Sequence, residues 1–166
     1  MPDGVGMTII YRETSVVADA VLRDICGLAL ALEERPLTLL DRYLENCRMG
    51  LAGRAWVHAA LAYDRDELVG YKLGRSDDPR CFESWRGGVK REYRRRGIAS
   101  TLAQCQEDWC RSGPFQCIET RTSPDNAPML ILNLRRGFII SGTVLIRGEH
   151  MNVVLHKPVE GQSPAG

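Results

Sequence analysis

"YRRRGIAS", residues 93–100, sets three consecutive arginines against a glycine and then turns apolar. The residues beyond it read as a helix: Ile98, Leu102, Cys105 and Trp109 recur at helical spacing, and Gly113 closes the run. The first turn of any helix presents backbone N–H groups without intrahelical partners, and these carry partial positive charge. Gly97 lets the backbone approach an anion with no Cβ in the way, and neighbouring arginines add fork-shaped, charge-assisted hydrogen bonds. The stretch therefore fits a socket for a pyrophosphate. On the triple arginine alone, a solvated basic loop fits equally well.

The rest of the chain narrows the choice. Its 166 residues suit one domain with a real core, and 44% hydrophobic with 26% charged residues is ordinary globular composition. The net charge is +1, so no global basic field draws the chain to nucleic acid or an anionic membrane, and the arginines must act locally. No run approaches the ~18 apolar residues that span a bilayer, and "MPDGVGMTII" does not read as a signal peptide. Six cysteines (26, 47, 81, 105, 110 and 117) include no C-x-x-C pair. They read as reduced, mostly buried small hydrophobes, and the expected location is cytoplasmic. His58, His150 and His156 are scattered without metal-ligand spacing, so no metal is expected.

Working outward, "MTIIYRE" is a first strand. Thr14 or Ser15 then caps a helix with Val17, Val21, Ile25, Leu28 and Leu32 along its apolar stripe. Pro36 breaks that helix, and a second one runs over "LTLLDRYLENCRM" to Gly50. Residues 54–75 form a hairpin turned at Asp64 to Glu67. "RCFESWRGGV" is a further strand whose Gly87-Gly88 pair marks a bulge or a close approach. After the helix from Ile98 come a strand over "FQCIETRT", a short helix over "NAPMLILNLRR", and a closing hairpin turned at Gly148-Glu149. The order β-α-α-β-β-β-α-β-α-β-β describes a mixed sheet with helices packed on it. The two strands flanking the Ile98 helix should run parallel through a right-handed crossover. Residues 1–158 read as a single domain and 159–166 as a mobile tail.

Two motifs resemble the GCN5-related N-acetyltransferases. Arg94-Arg95-Arg96-Gly97-Ile98-Ala99 is similar to that family's Q/R-x-x-G-x-G/A signature. Asn126 opens a short helix that ends in Gly137-Phe138, the family's second landmark. The resemblance implies an α/β fold with a mostly antiparallel twisted sheet, helices on both faces, and a splayed parallel pair of central strands. It implies acetyl-CoA as cosubstrate, its pyrophosphate on the N–H groups of Arg94 through Ala99, with a hydroxyl contact from Ser100 or Thr101. The pantetheine arm would pair with backbone around Val89 and Arg91, the Val89 N–H would polarise the thioester carbonyl, and Asn126 would bond the arm.

Amine acetylation requires something to take a proton. Glu83 stands eleven residues before Arg94, the offset of the base carboxylate in the histone-acetyltransferase branch, and Glu119 is the reserve. Glu83 also reads as a surface or ion-paired strand glutamate. Many relatives place a tyrosine acid seven residues after the motif asparagine, but this chain has Asn133 there, a residue able to hydrogen-bond the cofactor's sulfur or amide. A thiol leaves with a pKa near 8.5, so an acid helps without being obligatory. Arg91 replaces a proline common in relatives. Trp56, Trp85 and Trp109 read as packing residues, Arg135-Arg136 as a helix-end pair suited to the dipole, and Cys105 and Cys110 as core thiols. Glu33, Glu34, Asp41 and Glu45 on the N-terminal helices could attract a cationic acceptor.

The expected activity is N-acetyl transfer to a primary amine of a small molecule or peptide, by direct attack in a ternary complex. The other class is a non-catalytic acyl-CoA sensor on the same fold. Neither nucleic acid nor membrane is an expected partner, and a homodimer is left open.

Overall fold

The computed structural model describes residues 8–146 and 148–161; most of the expected tail, 162–166, lies outside the described residues. Seven strands form one sheet in the order β1-β2-β3-β4-β5-β7-β6. They are β1 (Ile9–Thr14), β2 (Trp56–Asp64), β3 (Glu67–Ser76), β4 (Cys81–Val89), β5 (Cys117–Thr122), β6 (Ile139–Ile146) and β7 (His150–Pro158). Four helices are α1 (Asp19–Leu32), α2 (Leu40–Leu51), α3 (Ile98–Ser112) and α4 (Ala127–Arg135). All neighbours are antiparallel except β4 and β5. The expected element order and the parallel central pair are both present.

Helices cover both faces. On one, Leu22, Ile25, Cys26 and Ala29 of α1 with Leu44 and Cys47 of α2 bury against Ala59, Leu61, Tyr71 and Leu73 of the sheet. The spacing i, i+3, i+4, i+7 in α1 is the stripe that turns one helical face to a core. On the other face, Ile98 and Leu102 of α3 meet Ala60, Ala62 and Val69. Phe82, Cys110, Phe115, Ile118 and Leu155 continue that core toward β7. Trp56, Trp85 and Trp109 all pack against these clusters, as expected.

The β4–β5 ladder holds only four pairs, Cys81 to Ser84 against Cys117 to Thr120. Beyond them β5 stays with β7, so Trp85 to Val89 have no strand partner on that side. The two strands start together and part, which leaves a wedge opening toward the N-terminus of α3.

Several local expectations are corrected. The first helix begins at Asp19 behind Ala18, without a side-chain cap; Thr14 instead bonds the backbone of Val16 in a tight local turn. The second helix runs past Gly50 to Leu51. Gly50 is there for close approach, since a Cβ would overlap the Trp85 ring and lie 2.8 Å from Arg75 Nη1. The irregularity in β4 falls at Trp85, skipped between the pairs Leu73–Arg86 and Gly74–Ser84, rather than at the glycine pair; Gly88 makes room for Leu32. The six cysteines are not all reduced: Cys81 and Cys117 form a disulfide, with Cα atoms 4.7 Å apart. Parallel pairing sets these two residues directly side by side, a placement that no spacing along the chain announces. Cys26, Cys47 and Cys110 are the buried free thiols expected.

Candidate active site

At the open end of the wedge, the chain leaves β4 at Val89 and makes a 3₁₀ turn over Arg91–Tyr93 before entering α3. Arg91 is thus already off the strand, its side chain paired with Glu34 across to α1's C-terminal loop. Arg94 is extended (φ −69°, ψ 161°), whereas Arg95 (φ 61°) and Gly97 (φ 78°) are left-handed. The two left-handed residues turn the chain sharply into the first turn of α3, whose N–H groups carry partial positive charge. A Cβ on Gly97 would meet nothing within 4 Å, so the space in front of it is open. The first α3 backbone bond runs from Thr101 N to Gly97 O, leaving the N–H groups of Ile98, Ala99 and Ser100 unmatched within the helix.

The arginines divide their work. Arg94 turns inward and donates from Nε to the Val89 carbonyl at 3.1 Å, tying the loop to the end of β4. Arg96 lies 5.5 Å from the Tyr93 ring centroid, and Tyr93 is itself held by Asp64 at 2.8 Å. Arg95 is exposed. Ile98 is buried and serves the core, so it can offer an anion only its backbone. The Thr101 hydroxyl donates to Gly97 O at 3.0 Å, so its proton is already engaged within the helix start. Asn126 caps α4, its Oδ1 accepting from Met129 N at 3.3 Å. Asn133 is buried and donates from Nδ2 to Thr122 Oγ1 at 3.4 Å, on the β5 side of the wedge.

At the closed end, a row of ionisable side chains crosses four adjacent strands on the α1/α2 face. Register sets Arg75 beside Glu83, Glu83 beside Glu119, and Glu119 beside His156. Glu83 Oε2 accepts from Arg75 Nε at 2.9 Å. Arg75 is fixed in turn by the Gly50 carbonyl at 2.7 Å and by the Trp85 ring, 3.9 Å below its guanidinium carbon. Glu119 is shared between Arg121 (2.8 Å) and His156 Nε2 (3.1 Å). Both glutamates are therefore ion-paired, and both lie half-buried at the base of the wedge.

The acids on the N-terminal helices are not an open cation trap. Asp41 pairs with Arg23 at 3.0 Å, Glu45 with Arg48 at 3.5 Å, and Glu34 with Arg91. Glu33 accepts from Tyr43, and Arg86 donates to that same hydroxyl at 2.5 Å. Burial pushes the Tyr43 phenol well above its usual range. A concavity of about 430 Å³ lies instead between the β5–α4 loop and the β6–β7 turn, lined by Ser123, Asp125, Glu149 and His150 among others.

The sequence reading missed Arg75, His156 and the cysteine bridge. One signal was available: "CFES" (81–84) and "CIET" (117–120) share the pattern Cys-apolar-Glu-hydroxyl, and parallel pairing stacks them residue on residue.

A profile of the acetyltransferase (GNAT) family matches residues 24–138. The chain belongs to this family. Among curated protein sequences nothing matches. Solved structures of the same fold include an aminoglycoside 6'-N-acetyltransferase complexed with coenzyme A, at 16% identity and TM-score 0.71 over 93% of this chain and 99% of that one. The ribosomal-protein-S18-alanine N-acetyltransferase of Escherichia coli aligns at 12% identity and TM-score 0.70, covering 93% and 97%. The PaiA N-acetyltransferase of Thermoplasma acidophilum, also with coenzyme A, aligns at 15% and 0.68, covering 92% and 99%. At these identities the likeness is one of fold. As a GNAT protein, the chain carries the family's mixed sheet, and no helix among the described residues is long and apolar enough to cross a membrane.

Proposed function

We propose that this GNAT protein is an acetyl-CoA-dependent N-acetyltransferase acting on a primary amine of a small molecule or peptide. The observation that carries the reading is the left-handed turn at Arg95 and Gly97 into the start of α3, where the first helical N–H groups have no intrahelical partner, open in front and adjoining the unpaired edge of β4. Acetyl-CoA, when bound, supplies the acetyl thioester. The N–H groups of Ile98, Ala99 and Ser100, with Arg95 and Arg96 nearby, hold its pyrophosphate by the helix dipole and charge-assisted hydrogen bonds. Trp85 to Val89 offer the pantetheine amides a strand edge, and the Val89 N–H is the donor for the thioester oxygen.

Glu83 takes the amine's proton. Its Oε2 is held by Arg75, and Oε1 has no hydrogen-bond partner among the described residues. Asn133 carries no titratable proton and is engaged with Thr122, so the thiolate departs without the usual tyrosine acid. Glu119, held by Arg121 on one oxygen and beside His156 on the other, is the less available base. Because the acids of the N-terminal helices are neutralised by arginines, they supply no strong attraction for a polycationic acceptor.

The second reading, a binding module without turnover, is favoured only by Asn133. A panel of amines with acetyl-CoA, with the mass of the acetylated product as readout, separates the two. Acetylated product from any amine supports the enzyme. Saturable acetyl-CoA binding, competed by CoA, with no product from the whole panel supports the sensor. No binding at all removes both.

A further inference from the structure

At the closed end of the wedge, Cys81, Cys117 and His156 each bring a ligand atom within 4.8 Å of the others. They come from three neighbouring strands and are all half-buried. Beside them, Glu119 Oε2 lies 3.1 Å from His156 Nε2. Two sulfurs, an imidazole and a carboxylate are a donor set suited to tetrahedral zinc-class cations.

We propose that, once its disulfide is reduced, the protein holds one divalent cation of the zinc class between Cys81, Cys117, His156 and Glu119. This assignment does not depend on acetyl transfer.

Three features support a site rather than a chance meeting. First, the frame allows the geometry. Sulfurs bound to one zinc at ~2.3 Å stand roughly 3.7 Å apart, and side chains on paired strands about 4.8 Å apart reach that separation by rotation about χ1. The Cα separation of 4.7 Å needs no change. Second, His156 is already oriented. Ser141 Oγ sits 2.6 Å from His156 Nδ1 and bonds the Val154 carbonyl at 3.2 Å, which leaves Nε2 facing Glu119. A hydrogen-bonded second nitrogen is the usual support of a metal-bound histidine. Third, charge is provided for. Arg121 holds the other oxygen of Glu119 at 2.8 Å and offsets the excess negative charge of two thiolates and a carboxylate around a dication.

The bond and the ion exclude each other. A dithiol reductant breaks the Cys81–Cys117 bond, is itself oxidised to a disulfide, and leaves two protein thiols. The cation then displaces one proton from each thiol as two metal–sulfur bonds form. Either state ties β4 to β5 at the root of the wedge, and the ion adds β7 through His156.

The test uses the full chain, reduced with dithiothreitol, desalted without oxygen and titrated with Co²⁺. One equivalent should produce thiolate-to-cobalt absorption in the near ultraviolet and the visible bands of tetrahedral cobalt, and added Zn²⁺ should bleach both. The disulfide form should give neither. Cys81→Ser should weaken the thiolate band, and Ser141→Ala should lower affinity by about 10–100-fold, the scale of a lost supporting bond. Cys26→Ser, which alters the other close thiol pair, should leave the spectrum unchanged. Far-ultraviolet circular dichroism checks that each variant folds. A reduced, folded protein without the thiolate band would overturn the proposal. So would a band undiminished in both Cys81→Ser and Cys117→Ser.

Discussion

Around Gly97 the protein presents backbone amides shaped by one continuous stretch, residues 94–101. Around Glu83 it presents side chains gathered from β3, β4, β5 and β7 and steadied by a carbonyl of α2. The first construction tolerates great change elsewhere, because a glycine turn into a helix start needs only local dihedrals. The second fails if any neighbouring strand shifts, because each group is aimed by another side chain. Donor binding and proton transfer should therefore separate cleanly under mutation.

Breaking the donor end should have the largest effect. If acetyl-CoA binds the native state alone, a hundredfold excess over Kd stabilises it by about 2.7 kcal/mol, which for this size raises Tm by roughly 5–10 °C. Gly97→Glu puts a side chain on a left-handed residue and a negative charge against the helix start. It should remove the whole ligand-induced shift, read by scanning fluorimetry with and without acetyl-CoA. A shift of undiminished size would mean that the phosphates lie elsewhere.

At the other end, Glu83→Gln should keep that shift and lower kcat by roughly 10²–10⁴-fold, the scale of a lost general base. The deficit should shrink at high pH, as more of the amine is neutral without help. Glu119→Gln should cost much less. The reverse ranking in steady-state assays would transfer the role to Glu119.

Gly50→Ala sharpens the contrast because two effects oppose. Alanine gains up to about 1 kcal/mol of helix propensity over glycine, yet its Cβ would overlap Trp85 and crowd Arg75. Overpacking of that kind costs about 1–3 kcal/mol, so a net loss in urea unfolding is expected. Turnover should fall through displaced Arg75 while acetyl-CoA binding stays intact. Equal losses in binding and turnover would show that the two ends are coupled.

The smallest effect concerns His58, buried on β2 against Trp109. Burial lowers its pKa below the ordinary 6.5, with Glu13 opposing. Its Nδ1 has no partner, so a proton there would find no acceptor. The folded state therefore binds this proton less readily than the unfolded chain, and stability should fall as pH drops below 6.5. The slope cannot exceed about 1.4 kcal/mol per pH unit for one group. His58→Phe should flatten that part of the stability–pH curve, and an unchanged curve would assign the slope to other groups.

The turn into α3 was legible because its information is local. Arg94 to Thr101 carry their own turn, cap and helix start, and Ile98 to Ser112 announce a helix by period alone. Asn126 likewise declares the start of α4, and its cap is made within three residues. Helix starts inferred from capping residues were less secure: Thr14 satisfied its own neighbours instead. The acceptor-side partners are another matter. Glu83 could be singled out by its offset from Arg94, but Arg75 reaches it only because β3 and β4 pair with a skipped Trp85. Cys81 and Cys117 are 36 residues apart in sequence and adjacent in space, and His156 joins them through the return of β7 alongside β5. By itself, then, the sequence determined the element order, the family and the glycine turn into α3, since each depends on propensity and spacing within one segment. Strand register decided the disulfide, the row from Arg75 to His156 and the cluster at the root of the wedge, since side chains on different strands meet only where the sheet's hydrogen-bond ladder sets them level.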